Sequence, residues 1–324
     1  MLLCSCTVTV LNFSRGHTGK LTGLITGMAG TGALVLVALY PRFFSGENGI
    51  RRLWLMQAVL YLVCNLLATF FMRDYSHLVL KCDFECASLK ESHDSDPETE
   101  EHLISHKESP RITGLALTKN LNFCLLVCSF LISGAVHHLI KMNAVLILES
   151  FRHSDLKTAL LGSAPFLSAF LKLFFGVLSD RLIYLLPRYF YVTMLIWYEV
   201  IIVYISSVYG DIAFLTVNLI ILSYVVDSVS LSICFAVVHD LFGKKSYGVN
   251  IGILLLGYGS ISIPVLVTFG LIHDQRSEHS LCFGASCFTG TFLFSGIGMT
   301  VAGIFSSALS YREWKWRKSR RNMI

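Results

Sequence analysis

The sequence predicts an all-α, multi-pass membrane protein, and three observations carry that expectation. Of its 324 residues, 54% are hydrophobic and only 15% charged, with a mean hydropathy of +0.64. A soluble chain of this length needs more polar surface. Apolar runs recur at close to the ~20 residues that a helix needs to cross a bilayer. The basic residues, finally, gather in alternate connecting segments, which is the bias of membrane topology.

Eight spans are expected, over residues 22–40, 53–72, 121–140, 159–179, 189–208, 212–237, 250–272 and 287–310. Pro165 and Pro264 fall inside spans; neighbouring helices can satisfy the backbone groups that they free. The opening MLLCSCTVTVL has neither the basic region nor the small-residue site of a cleavable signal peptide. One set of short segments holds twelve Lys and Arg, six of them in the tail, and the opposite set holds seven. The C-terminus is therefore expected to be cytoplasmic. In YREWKWRKSRR, Trp314 and Trp316 suit a membrane interface, and positive-inside anchoring explains the tail's charge without nucleic acid. The composition places the chain in a membrane, with plasma and endolysosomal membranes left open.

Residues 73–118 form the one long weakly hydrophobic segment, with the acidic stretch KESHDSDPETEEHLISHKESP. It is expected to be a disordered cytoplasmic loop. Around it the sequence repeats itself. Phe13 falls on Phe242, Arg15 on Lys244, Gly19 on Gly248, Gly23 on Gly252 and Gly30 on Gly259, always 229 residues apart. Many transporters consist of two parallel repeats of this kind. On that reading the repeat unit is six helices, the first span is the counterpart of the seventh, and an intact molecule has twelve. The expected organisation is then 1–72 for the end of an N-terminal bundle (a fourth-helix stub with the fifth and sixth helices), 73–118 for the loop, 119–311 for a C-terminal six-helix bundle and 312–324 for the tail. The chain is thus expected to be truncated at its N-terminus, holding about eight of twelve helices.

These features resemble the major facilitator superfamily. DLFGKKSYGVNIGILLLG (240–257) and FSRGHTGKLTGLITGMAG (13–30) are similar to its nodulin-like, monocarboxylate-transporter-like branch. FLKLFFGVLSDRL (170–182) resembles that branch's eighth helix and following loop, and CFGASCFTGTF (282–292) the approach to its last helix. The resemblance covers nearly the whole chain. It implies alternating-access transport of a small organic anion, a monocarboxylate-like solute, without ATP.

The resemblance also implies roles. Gly176, Asp180 and Arg181 match a loop motif that forms a cytoplasmic gate, with Asp180 near residues 17–22 and Arg188 in place of a later basic residue. Lys172 stands four residues before Gly176, where the family usually has an anion-binding arginine; Ser168 occupies a place where relatives often carry aspartate.

The residues make their own case as well. An ammonium such as Lys172, about 12 Å below Asp180 at 1.5 Å per residue, must face a cavity, pair or snorkel. Asp227, in the middle of a span, is an expected partner for Lys172 or a relay group. Asn143 and Asn250 could line the solute path. His137, His138 and Glu199 are candidates for proton coupling. Gly19, Gly23 and Gly30, with Gly248, Gly252 and Gly259, recur at helical spacing and suit close helix packing. Ordinary packing, a solvated Asp-Arg pair and snorkelling remain alternative readings of these residues.

No enzyme signature stands where its chemistry could work, so neither catalysis nor a cofactor or resident metal is expected. The expected partners are a small-molecule solute, protons and the bilayer, not nucleic acid. Cys282 and Cys287 could pair on the outer side, which the sequence leaves open, as it does the oligomeric state. The competing reading is a non-transporting membrane protein or isoform that acts through a partner.

Overall fold

Every described element of the computed structural model is helical; it describes residues 18–27, 48–71, 114–183, 185–243, 246–276 and 284–321. The helices are α1 (18–27), α2 (Gly49–Phe71), α3 (Leu121–Met142), α4 (Ala144–Ser150), α5 (Lys157–Arg181), α6 (Tyr189–Tyr209), α7 (Ala213–Phe242), α8 (Tyr247–Arg276) and α9 (Ala285–Arg321). Among the described residues six helices, α3 and α5 to α9, are long and apolar enough to cross a membrane. They coincide with the third to eighth expected spans. The second expected span falls on α2. Most of the first lies outside the described residues, as does most of the central loop.

Local chemistry sets the helix ends. Asn120 caps α3, its side-chain oxygen accepting from the N–H groups of Asn122 and Phe123 at 3.0 and 3.3 Å, two of the donors that a helix start leaves unpaired. Gly243 closes α7 with φ 73°, a backbone region where a side chain is strained. The expected loop is ordered at its end: Gly114–Lys119 makes a 3-10 turn whose Leu117 is buried in the core. The tail likewise continues α9 as helix up to Arg321.

The core lies around α7, which packs against α3, α5, α6 and α8, while α9 lies along α3 and α6. Of α7's apolar span 72% is buried, against 17% of α8's. Phe123 meets Phe242 edge-on at 5.4 Å, and Phe151, Phe288 and Phe292 stack between helix ends. Phe166, Phe170 and Phe174 project from α5 exposed, as suits lipid contact.

α1 is bound to α5 through small residues. A Cβ on Gly19 would stand 2.7 Å from the Gly176 carbonyl oxygen, on Gly23 2.8 Å from that of Lys172, and on Gly27 3.0 Å from that of Ala169. The two backbones touch in antiparallel order, the close approach that small residues permit between membrane helices. The second set of glycines differs. Around Gly252 and Gly259 an added Cβ meets nothing within 4 Å among the described residues. These two do not pack a described helix, because α8 lies at the margin of the bundle. Gly30 lies outside the described residues.

Replacing Gly23 with valine should separate α1 from α5, with a destabilisation of about 1–3 kcal/mol typical of overpacking. Thermal unfolding in detergent should show a Tm several degrees lower. Gly252→Ala should leave Tm unchanged; equal loss in both would refute the distinction.

Candidate functional site

Asp180 ends α5 facing the first turn of α1. Its Oδ1 accepts from the Gly19 N–H at 3.1 Å and its Oδ2 from the Lys20 N–H at 2.7 Å. A helix start offers such unpaired donors together with a dipole that favours an anion. Arg188, from the segment joining α5 to α6, lies fully buried behind this contact. Its guanidinium donates to Asp180 Oδ1 at 2.5 Å, Asp240 Oδ2 at 2.8 Å, Ser179 Oγ at 3.1 Å and Thr18 Oγ1 at 3.2 Å. Burial works against its charge, but the Asp240 and Asp180 carboxylates prevail and hold its pKa above the ordinary arginine value.

Of the candidate gate residues, Gly176 and Asp180 meet α1, whereas Arg181 is exposed, and the cation on Asp180 is Arg188. Adjacent residues of a helix point about 100° apart, so Arg181 cannot follow Asp180 inward. Sequence reasoning also passed over Asp240, although it opens the stretch quoted for the resemblance. A carboxylate at a helix end looks solvated until the fold sets a buried arginine beside it. On the same side Glu313 of α9 is buried, and Arg317 donates to the carbonyl oxygens of Ile183 and Leu186.

A second polar array lies inside the bundle. His137 and Lys141, one turn apart on α3, share a face. His137 Nε2 is 2.8 Å from Glu199 Oε2 of α6, both side chains wholly buried. Ser223 of α7 donates to Glu199 Oε1 at 2.8 Å. His137 Nδ1 lies 3.9 Å from Asp227 Oδ1, and Lys141 Nζ is paired with Asp227 Oδ2. Tyr258 of α8 donates to Asp227 Oδ1 at 3.2 Å. Its ring lies across Gly134, where an added Cβ would stand 2.6 Å from Tyr258 Cδ2. Gly134 and Tyr258 were not foreseen; a glycine in an apolar run does not announce which ring it seats.

Here too the pairing differs from expectation. The close ion pair of Asp227 is with Lys141, and Lys172 acts on it from further off. Lys172 is buried on α5 facing α1, where its Nζ donates to the Thr26 carbonyl oxygen at 3.1 Å. Depth along a helix placed Lys172 in the membrane but could not tell which face of α5 carries it. His138 parts from His137 and sits edge-on to Tyr258, ring centroids 6.2 Å apart. Asn143 punctuates the break between α3 and α4, its amide donating to the Leu139 carbonyl at 2.9 Å. Asn250 is buried in the first turn of α8. Asp227, Lys172 and Asn143 thus have different hydrogen-bond partners. Ser168 donates to the Pro165 carbonyl at 2.7 Å. Cys287 is disulfide-bonded; Cys282 lies outside the described residues.

Long apolar helices with charged groups paired in their interior define an integral, multi-pass membrane protein of the transport type. Residues 1–266 match the sequence profile described as the Major Facilitator Superfamily, and the chain belongs to that family. It is, accordingly, a secondary membrane transporter that handles small-molecule solutes. No curated protein matches the chain significantly.

Replacing Arg188 with alanine should leave two carboxylates facing each other without their cation. Removing one partner of a buried pair typically costs about 3–5 kcal/mol, so a large fall in Tm is expected. Arg188→Lys, which keeps the charge but not the fork, should recover part of it. Equal Tm for Arg188→Ala and the parent would show that the network does not hold these helices.

Proposed function

We propose that the transported solute is a small organic anion, monocarboxylate-like, moved by alternating access with its carboxylate on Lys172 and a proton on the His137–Glu199 pair. The observation that carries this reading is the buried ammonium of Lys172 at the seam between α1 and α5. A buried cation is costly in a bilayer and marks a solute or ion path by default. The sequence resemblance to the nodulin-like, monocarboxylate-transporter-like branch supports the same solute class.

The inner array supports the proton. His137 and Glu199 form a wholly buried pair at 2.8 Å, and a low-dielectric interior favours a carboxylate that shares a proton with its partner over a bare charge. Asn143 and Asn250 would meet the solute only in another conformation. His138 would tune the array through Tyr258. Asp180, Gly176 and Arg188 would close the cytoplasmic side by holding the start of α1, with the basic C-terminus on that side.

A second reading, a non-transporting protein that works through a partner chain, draws on α8. Its exposed Ile253, Leu256, Ile263 and Val267 and open Gly252 and Gly259 suit an additional helix as well as lipid.

Uptake of labelled monocarboxylates into proteoliposomes tests the first reading. Lys172→Gln should reduce uptake at least about tenfold, the loss of one charged contact worth ~1.4 kcal/mol or more, and Lys172→Arg should retain a part. Unchanged uptake by Lys172→Gln would end the binding role. Glu199→Gln should abolish the acceleration produced by an inward proton gradient while sparing solute exchange at equal pH. A gradient response that survives would place coupling elsewhere. Well-folded protein that shows no flux but cross-links to a partner through α8 would favour the second reading.

A further inference from the structure

We propose that the outward face of the α9 tail, Tyr311, Trp314, Lys315 and Lys318, is a binding site for anionic phospholipid headgroups. The argument begins with length. At 1.5 Å per residue, the 37 residues of α9 reach about 55 Å, whereas the hydrocarbon core is about 30 Å thick. The helix therefore overshoots the core by several turns, and its composition changes where it does. Six of the ten residues 312–321 are Lys or Arg, and Glu313 is the one acid among them.

The rotation of this overshoot is fixed by its inner face. Thr193 Oγ1 shares hydrogen bonds with Ser306 and Ser310 of α9, the latter at 2.9 Å. One turn on, Glu313 is buried. One turn further, Arg317 is bonded to the carbonyl oxygens of Ile183 and Leu186. Arg312 donates to Asn122 at 2.8 Å. Those two arginines are spent on the protein itself.

Other side chains of this segment turn outward. Tyr311 is 61% exposed and Trp314 39%, with Lys315 and Lys318 exposed beside them. The Tyr311 and Trp314 rings lie 6.3 Å apart, and Lys318 Nζ stands 5.2 Å from the Trp314 ring centroid. Aromatic side chains favour the headgroup level, where one end is apolar and the other wet. Ammonium groups there attract the phosphates and carboxylates of anionic lipids. A tail built for nucleic acid or an acidic protein has no need of an exposed indole and phenol at the membrane boundary, and this favours lipid as the occupant.

The test compares Tm of the whole protein in nanodiscs of phosphatidylcholine alone with nanodiscs carrying 3 parts in 10 phosphatidylserine (about 30%, a strongly anionic surface). Phosphatidylserine should raise Tm by several degrees, and raised salt should erase the gain by screening. The double variant Lys315→Gln, Lys318→Gln should match the parent in phosphatidylcholine and lose the gain. Lys157→Gln, at the far end of α5, should keep it. Equal Tm in both lipids, or a gain that survives in the double variant, would overturn the proposal. So would a tail-dependent gain that appears with a soluble polyanion, such as an RNA oligonucleotide, but not with phosphatidylserine.

Discussion

The arrangement depends first on one guanidinium. Arg188 lies between Asp180 and Asp240, and Asp180 in turn accepts two N–H groups from α1. Two carboxylates at one helix boundary would repel each other, and Asp180 would lose most of its hydration. A single point charge could answer one of them; the planar fork of arginine answers both and still reaches Ser179 and Thr18. The ends of α5 and α7 and the beginning of α1 are therefore fixed by the same few atoms. The glycine seam between α1 and α5 continues from there. Gly19 has no side chain to keep the α1 backbone from Asp180, and Gly176 faces it from α5.

The interior array follows the same logic with less charge to spare. His137, Glu199, Asp227 and Lys141 come from α3, α6 and α7, and Ser223 and Tyr258 supply the neutral hydrogen bonds. Each carboxylate has partners from at least two directions. Buried polar groups of this kind hold helices in one register when satisfied and are expensive when a partner leaves.

Much of the fold was legible in the sequence because a bilayer imposes its thickness on each helix separately. Length and hydropathy located α3 and α5 to α9 without knowledge of any contact. The spacing of Gly19 and Gly23 likewise announced a close-packed face, since only small residues permit it. Contacts between helices were another matter. His137 and Glu199 are 62 residues apart, Lys141 and Asp227 are 86 apart, and no local pattern records which faces will meet. The same limit explains why Lys141, and not the expected Lys172, makes the close ion pair with Asp227: depth along a helix does not record which face meets a partner.

On the proposed reading, the two polar clasps along α5 act on one object. Lys172 and Asp180 lie two turns apart on α5, and both hold α1: Lys172 through the Thr26 carbonyl and Asp180 through the Gly19 and Lys20 N–H groups. Between them the contact is backbone against backbone, with no long side chain to interlock. Such a seam can slide or part at low cost once its polar ends are released. A solute carboxylate that claims the Lys172 ammonium removes the inner clasp and leaves α1 fastened at its start, by Asp180 and by Arg188 through Thr18. Binding at mid-membrane would then weaken the hold on the cytoplasmic contact through α1 itself, without a longer path through the bundle. The size of the effect is set by differential affinity, because a solute can shift the equilibrium only by as much as it prefers the parted state.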